Sequence, residues 1–382
     1  MSVRVHTAVD PPSEASADVK SSGSSRHLFA MTLDELRTWL IAAGRPRYRA
    51  EQIADWVYQK KASGFDQMTN LSKADRAGLA EGLDVYRSRV NHASVAADGT
   101  RKLLLSWPDE TSVETVWIPD RRRNTVCVSS QVGCPVGCRF CASGLGGLTR
   151  NLTAGEIVEQ AVRVAALVQE LDREPDAGLG AASARLTHIV FMGMGEPLAN
   201  YDEVVRAIRI LNAPWGLGIG ARKITLSTVG LPKQIRRLAG ETLQLNLALS
   251  LHAPDDALRQ ELIPWGRVPI AELLDACSFY FQQTGREITL EYVLLDGVND
   301  HRAHADQLAR ICKRLRCNVN LLRYNPVPGL PYVRPSSEAT YAFQRRLREA
   351  GVNAHVRRSR GRESDAACGQ LRRTAGLDGR TG

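Results

Sequence analysis

Cys134, Cys138 and Cys141 stand in the order C-x-x-x-C-x-x-C, within the string CPVGCRFC. Three thiolates so spaced can wrap one metal centre. They supply one ligand fewer than a closed tetrahedral zinc site or a fully ligated iron–sulfur cube needs. An open coordination position is where a small chelating ligand can bind and react, and Phe140, just before the last cysteine, can shield such a cluster. The alternative is a zinc knuckle with Cys127 as fourth ligand. Zinc sites usually show paired C-x-x-C hooks, and this loop has one such pair, Cys138 and Cys141.

Other residues with chemical potential lie further along. Met192-Gly193-Met194-Gly195-Glu196-Pro197 is a Gly-rich turn that lets backbone approach a ligand, and the Glu196 carboxylate can accept hydrogen bonds from an amino group. Ser227, Ser250, His252 and Asn325 each end or follow an apolar run. Singly each reads as a turn or capping residue; together they can ring a polar ligand. Cys127 lies on the run leading to the cysteine loop, and Cys368 lies in a small-residue stretch, DAACGQL, after RRSRGR. Cys277, Cys312 and Cys317 read as buried small hydrophobes.

The elements that must position these residues follow from hydrophobic period. Thr32 and Glu35 form a capping-box start, a second helix spans about Glu51–Lys60, and a third follows Ser72. From Ala93 the period shifts to strands around an Asp98-Gly99 turn. After Asn124 six apolar runs (TVCV, THIVFM, KITLS, LNLALS, ITLEYVLL, NVNLLR) alternate with helices beginning at Thr153, near Asp202, near Leu231, and after Val268, His301 and Ser336. This predicts an α/β fold, a partial (β/α)6 TIM-like barrel with a small N-terminal helical domain and a basic C-terminal extension. Working residues belong past the C-terminal ends of barrel strands, where these candidates fall. The expected units are a disordered tail over 1–26, a small helical accessory domain over 27–92, a β-hairpin linker region over 93–123, the barrel over 124–350, the extension over 351–373 and a second disordered tail over 374–382.

The chain has 382 residues and a net charge of +9. From His301 onward there are 17 Lys and Arg against 6 Asp and Glu, so the basic excess sits at one end, which suggests a polyanionic partner such as nucleic acid; the alternative is a solvated charged face. No apolar run can span a bilayer, and no secretory signal is evident. A cytoplasmic protein with reduced cysteines is expected, without a membrane partner. Nothing specifies an oligomer, and a monomer is the expectation.

CVSSQVGC, FMGMGEPLANY, LSLHAPDD, YNPVPG and DAACGQL together resemble the RlmN-type branch of the radical S-adenosylmethionine (SAM) superfamily, adenine-C2 methyltransferases of 23S ribosomal RNA and tRNA. The resemblance runs from Leu28 to Leu371. It implies that Cys134, Cys138 and Cys141 hold a [4Fe-4S] cluster, and that Gly195, Glu196, Ser227, Ser250, His252 and Asn325 contact SAM. It implies that Cys368 is methylated during the cycle, that Cys127 later attacks it, and that Glu114 accepts a proton. It further implies two SAM per turnover and a flavodoxin-like reductant protein as electron donor. The targets it implies are the peptidyl-transferase centre and adenosine 37 beside the anticodon. The chain departs from the family pattern at Trp265-Gly266-Arg267 and at Arg323. Three other readings stand beside it: the sister enzymes methylating adenine C8, another radical SAM reaction such as protein activation, and a non-catalytic zinc RNA-binding protein.

Overall fold

The computed structural model describes residues 25–120, 123–173, 185–265 and 267–371. The tail expected over 374–382, and all but the last two residues of the one expected over 1–26, lie outside the described residues. Strands are β1 (Arg26–His27), β2 (Leu83–Asp84), β3 (Arg89–Val95), β4 (Arg101–Ser106), β5 (Ser112–Asp120), β6 (Arg123–Cys127), β7 (Gln131–Gly133), β8 (Leu148–Asn151), β9 (His188–Phe191), β10 (Ile224–Thr228), β11 (Asn246–Ser250), β12 (Ile288–Leu294), β13 (Cys317–Arg323) and β14 (Ala354–Arg357). Helices are α1 (Leu33–Ala42), α2 (Arg49–Ala54), α3 (Lys73–Gly82), α4 (Ala154–Asp172), α5 (Tyr201–Asn212), α6 (Pro232–Ala239), α7 (Asp256–Leu262), α8 (Ile270–Thr284), α9 (Arg302–Cys312) and α10 (Ser337–Glu349).

One ten-stranded sheet organises the chain, in the order β14-β13-β12-β11-β10-β9-β6-β5-β4-β3. From β6 to β14 every neighbouring pair is parallel and the order follows the sequence, each crossover carrying at least one helix. The six expected strands are β6 and β9–β13, and the six expected helices are α4–α6 and α8–α10. Within the barrel two elements were not legible, α7 and β14, whose four residues (AHVR) carry too little apolar pattern; outside it the short strands β1, β2, β7 and β8 were not read either. The segment read as a hairpin linker contributes β3–β5, which extend the barrel sheet antiparallel through β6. β3 and β14 are the two free ends, so the barrel stays open.

Helix starts behave as their sequences predict. Thr32 with Glu35, and Thr153 with Glu156, form complete capping boxes, each cap worth about 1 kcal/mol. The second helix departs from plain α geometry: it ends at Ala54 and continues as a π-helical turn over Asp55–Gln59.

The N-terminal helices dock on the barrel through one buried carboxylate. Glu159 of α4 accepts the N–H groups of Arg87 (3.0 Å) and Ser88 (2.9 Å) and Arg163 Nε (2.9 Å), and lies 3.1 Å from His27 Nε2. Phe29 meets Tyr58 edge-on nearby, and Tyr58 meets Trp215 of the barrel side, at 5.6 and 5.8 Å. Apolar packing and a satisfied charge thus join the two parts into one core. Among the described residues no helix is long and apolar enough to cross a membrane.

Candidate active site

After β6 the chain forms the short hairpin of β7 and β8, and the cysteine loop is its tip. Cys134 N–H donates to Gly147 O (3.0 Å), Cys141 N–H to Cys138 O (3.1 Å) and Arg139 N–H to Leu262 O (3.0 Å). These bonds hold Cys134, Cys138 and Cys141 on the wall of one cavity of about 170 Å³ at the C-terminal ends of the strands. Beneath them lies a hydrophobic cluster separate from the main core, including Val136, Phe140, Leu262, Ile263 and Tyr324. Burial pushes the Cys134 thiol up to about 12 and raises Cys138 and Cys141 as well, so a metal must displace protons to bind. Among the described residues no three His, Cys, Asp or Glu side chains converge as a single metal ion requires. A cube places each thiolate on a different iron, whereas the zinc alternative needs that convergence.

The Gly-Glu-Pro turn follows β9. A Cβ at Gly193 would meet Ser129 Oγ and Val128 O at 2.7 Å, and Gly195, at φ +104°, would bring one to 2.7 Å from Gln131 Cβ. Only glycine lets this turn press against the segment leading to the cysteines. Glu196 N–H donates to Gln131 Oε1 (2.8 Å), while its carboxylate accepts Val229 N–H (2.8 Å) and Leu198 N–H (3.0 Å). Burial pushes this carboxyl up to about 7 against those hydrogen bonds. A cation entering the cavity would favour its ionised form.

Later strand ends complete the ring. Ser227 and Ser250 hydroxyls lie 3.2 Å apart. His252, in the left-handed region at φ 59°, accepts Val293 N–H at Nδ1 (3.0 Å). That bond leaves the proton of the neutral ring on Nε2; burial and the nearby Arg259 lower the imidazole to about 3. Phe140 packs edge-on against the same ring, centroids 5.0 Å apart. Asn325 Oδ1 accepts from Arg334 Nη1 (3.0 Å), and its Nδ2 donates to the Cys368 carbonyl (3.1 Å).

The C-terminal loop comes back over this ring. Ala142 N–H donates to Gly369 O (2.8 Å), Ser143 Oγ to Leu371 O (2.7 Å) and Gln370 Nε2 to Pro326 O (3.1 Å). Cys368 consequently lines the cysteine cavity and also a second one of about 100 Å³, where it meets Cys127, Arg357, Arg358 and Arg360. Cys368 is open to solvent on one side, whereas Cys127 is buried. Surrounding protein raises both thiols, and the Arg357 charge opposes the rise.

Of the residues singled out in the sequence, Cys134, Cys138, Cys141, Gly195, Glu196, Ser227, Ser250, His252, Asn325 and Cys368 line one cavity. Cys127 joins them through the second. Glu114 lines neither. It is buried on β5, paired with Lys102 Nζ at 2.9 Å, and Lys102 in turn donates to the Asp365 carbonyl (3.1 Å) at the start of the Cys368 loop. Sequence reasoning passed over Glu291, which lines the cavity, and Arg259, a guanidinium 1 % exposed beside the cysteines. Among the polar residues of the short α7 (DALRQEL), nothing local marked the second as buried. At the two departures from the family pattern, Arg323 Nη2 donates to Pro335 O (2.8 Å), Trp265 is exposed, and Gly266 lies outside the described residues. Cys277 is buried as expected; Cys312 and Cys317 are half-buried, with Cys317 Sγ directed to Cys312 O at 4.0 Å.

Residues 26–85 match the family model of the ribosomal RNA large subunit methyltransferase N-terminal domain, and residues 128–309 match the radical SAM superfamily. The chain is 45% identical over 370 residues to a probable dual-specificity RNA methyltransferase RlmN of Rhodopirellula baltica, with 96% of each chain covered. The protein of that same name from Gloeobacter violaceus is 48% identical, with 91% of this chain and 95% of the relative covered. The chain belongs to the RlmN family. A solved radical SAM methyltransferase from Sphaerobacter thermophilus superposes with a TM-score of 0.86 at 49% identity, covering 91% of this chain and 99% of that one. As an RlmN-family protein this chain has the radical SAM fold and is a SAM-dependent methyltransferase, and the superfamily's cofactors are a [4Fe-4S] cluster and SAM.

Proposed function

We propose that the chain methylates C2 of adenine in 23S ribosomal RNA and in tRNA at adenosine 37, with Cys368 as the methyl carrier. C2 has no nucleophilic electron pair to offer a sulfonium, so direct methyl transfer fails there. When bound, the cluster and SAM supply reductive cleavage of the sulfonium and with it a hydrogen-abstracting radical. Cys134, Cys138 and Cys141 would hold the cluster; Glu196, Ser227, Ser250, His252 and Asn325, with the Gly195 backbone, would hold SAM. The donor set suits the pair: three thiols on one short loop, a buried carboxylate for an ammonium group, and hydroxyls beyond it.

The remaining steps belong to the chain's own residues. Cys368 Sγ takes a methyl group from one SAM, losing its proton. That carbon would give one hydrogen atom to the radical and join C2, and the adduct would release the C2 proton and return one electron to the cluster; Cys127 Sγ, as thiolate, then attacks Cys368 Sγ. The sulfur–sulfur bond forms as the sulfur–carbon bond breaks, and the electron pair stays with carbon, which is protonated to the new methyl. The disulfide then needs two electrons from outside, and a flavodoxin-like protein fits the reductant's role. Glu114, reaching the loop through Lys102, takes up the C2 proton only if that loop rearranges. Reaching C2 also requires an adenine unstacked from its neighbours, and Arg357, Arg358 and Arg360 at the thiol cavity suit its flanking phosphates.

A single observation carries this reading: Cys368 lines both the three-cysteine cavity and the cavity of Cys127. The test is to incubate cluster-reconstituted protein, reductant and SAM with each RNA, and to identify the nucleoside by mass spectrometry against standards. 2-Methyladenosine is expected. 8-Methyladenosine, or unmodified RNA from brown, SAM-binding protein, overturns the assignment.

A further inference from the structure

Glu291 lies on β12, is 4 % exposed, and lines the cavity of the three cysteines. Strand register sets it level with Ser250 on β11 and with Asn320 on β13. Residues level across parallel strands share a face, so these three side chains form one inward row. The next residue, Tyr292, takes the opposite face and stacks on Phe343 of α10, centroids 5.6 Å apart. Asn320 Nδ2 holds Glu291 Oε1 at 2.9 Å. Glu291 Oε2 is buried and finds no hydrogen-bond donor among the described residues. A buried acceptor left in that state is costly, and a ligand entering the cavity can supply the missing donor, with the Arg357 charge nearby.

We propose that Glu291 is a binding residue for the nucleoside part of SAM, its Oε2 accepting a hydrogen bond from a ribose hydroxyl. The inference rests on the reading above that this cavity takes SAM. The choice among the donors of SAM follows from the neighbours. The ammonium group is matched by the turn carboxylate of Glu196, which follows β9, three strands along the sheet from β12. A ribose presents two adjacent hydroxyls, and the row presents a carboxylate level with a serine hydroxyl, so one can take each. A carboxylate on a ribose hydroxyl is a recurrent solution to nucleoside binding. Asn320, by occupying the other oxygen, fixes where the free one points.

The test is equilibrium dialysis of full-length, cluster-reconstituted protein with SAM and with its 2′-deoxy and 3′-deoxy analogues. The variant is Glu291→Gln, in which Asn320 engages the new carbonyl and a donor replaces the acceptor facing the ribose. SAM should bind the variant about tenfold or more weakly, as loss of a charge-assisted hydrogen bond implies. One deoxy analogue should bind the parent similarly weakly, and the substitution should then make little further difference to that analogue. Equal SAM affinity in parent and variant overturns the proposal. So does a uniform loss across SAM and both analogues, which marks a structural role, or a defect confined to RNA binding, which assigns Glu291 to the target base. A parent protein that carries its cluster but binds no SAM sinks the reading of the site itself. Should Glu291→Gln not accumulate folded, Asn320→Ala releases the aim of Oε2 and should give the same pattern with a smaller loss.

Discussion

Asn325 Nδ2 donates to the carbonyl oxygen of Cys368 at 3.1 Å, tying the end of the last long barrel strand to the loop that carries the exposed thiol. The two residues are 43 positions apart in sequence, and this bond helps set where Cys368 sits. One neutral hydrogen bond contributes about 1 kcal/mol. Asn325→Ala should therefore speed alkylation of Cys368 roughly fivefold, read by peptide mass spectrometry under limiting iodoacetamide. An unchanged rate would show that the other loop contacts suffice.

Cys127→Ala leaves no thiol to attack Cys368 in the second cavity. The protein should accumulate joined to its RNA, seen as a band that survives denaturing electrophoresis and disappears after nuclease. An unlinked variant with full methylation activity would remove the disulfide step.

Glu196 gives the ligand-free protein a pH signature. Its folded pKa of about 7 lies above the ordinary 4.5, so the native state holds this proton longer than the unfolded one. Stability from this group is fully present below pH 4.5 and is lost as pH rises through 7, by roughly 3 kcal/mol. Chemical denaturation at pH 5 and pH 8 should show the decline, and Glu196→Gln should flatten it. A slope that survives the substitution would place its origin elsewhere.

Glu159 shifts the other way. Burial alone would raise its pKa, but His27, Ser88 and the Arg87 N–H outweigh burial and hold it at about 2. Its contribution, about 3 kcal/mol, is present above pH 4.5 and lost as pH falls through 2. Glu159→Leu, which strands these donors at the junction of the two parts, should cost about 3–5 kcal/mol. Denaturant melts of the two proteins check this, and a variant within 1 kcal/mol of the parent would contradict it.

Much of the fold was legible because each barrel unit declares itself locally. TLDE and TAGE start helices through their own side chains, and ITLEYVLL turns Ile288, Leu290, Tyr292 and Leu294 to the face that helices cover. β14 escaped notice because four residues at a sheet edge need little apolar surface. Glu291 escaped because a carboxylate inside an apolar strand carries no local mark of which face it takes. Register against Ser250 and Asn320 supplies that mark.

The sequence by itself determined the three-cysteine loop, the order of strands and helices, and the family, since each rests on residue type at short spacing. Only the tertiary structure decided that Cys127 and Cys368, separated by most of the barrel, share a cavity, and that Glu114 stands apart from it. Spacing within a loop is a covalent constraint readable in one dimension. The meeting of two distant thiols depends on how the sheet curls and on backbone bonds such as Ala142 N–H to Gly369 O, which no local pattern encodes.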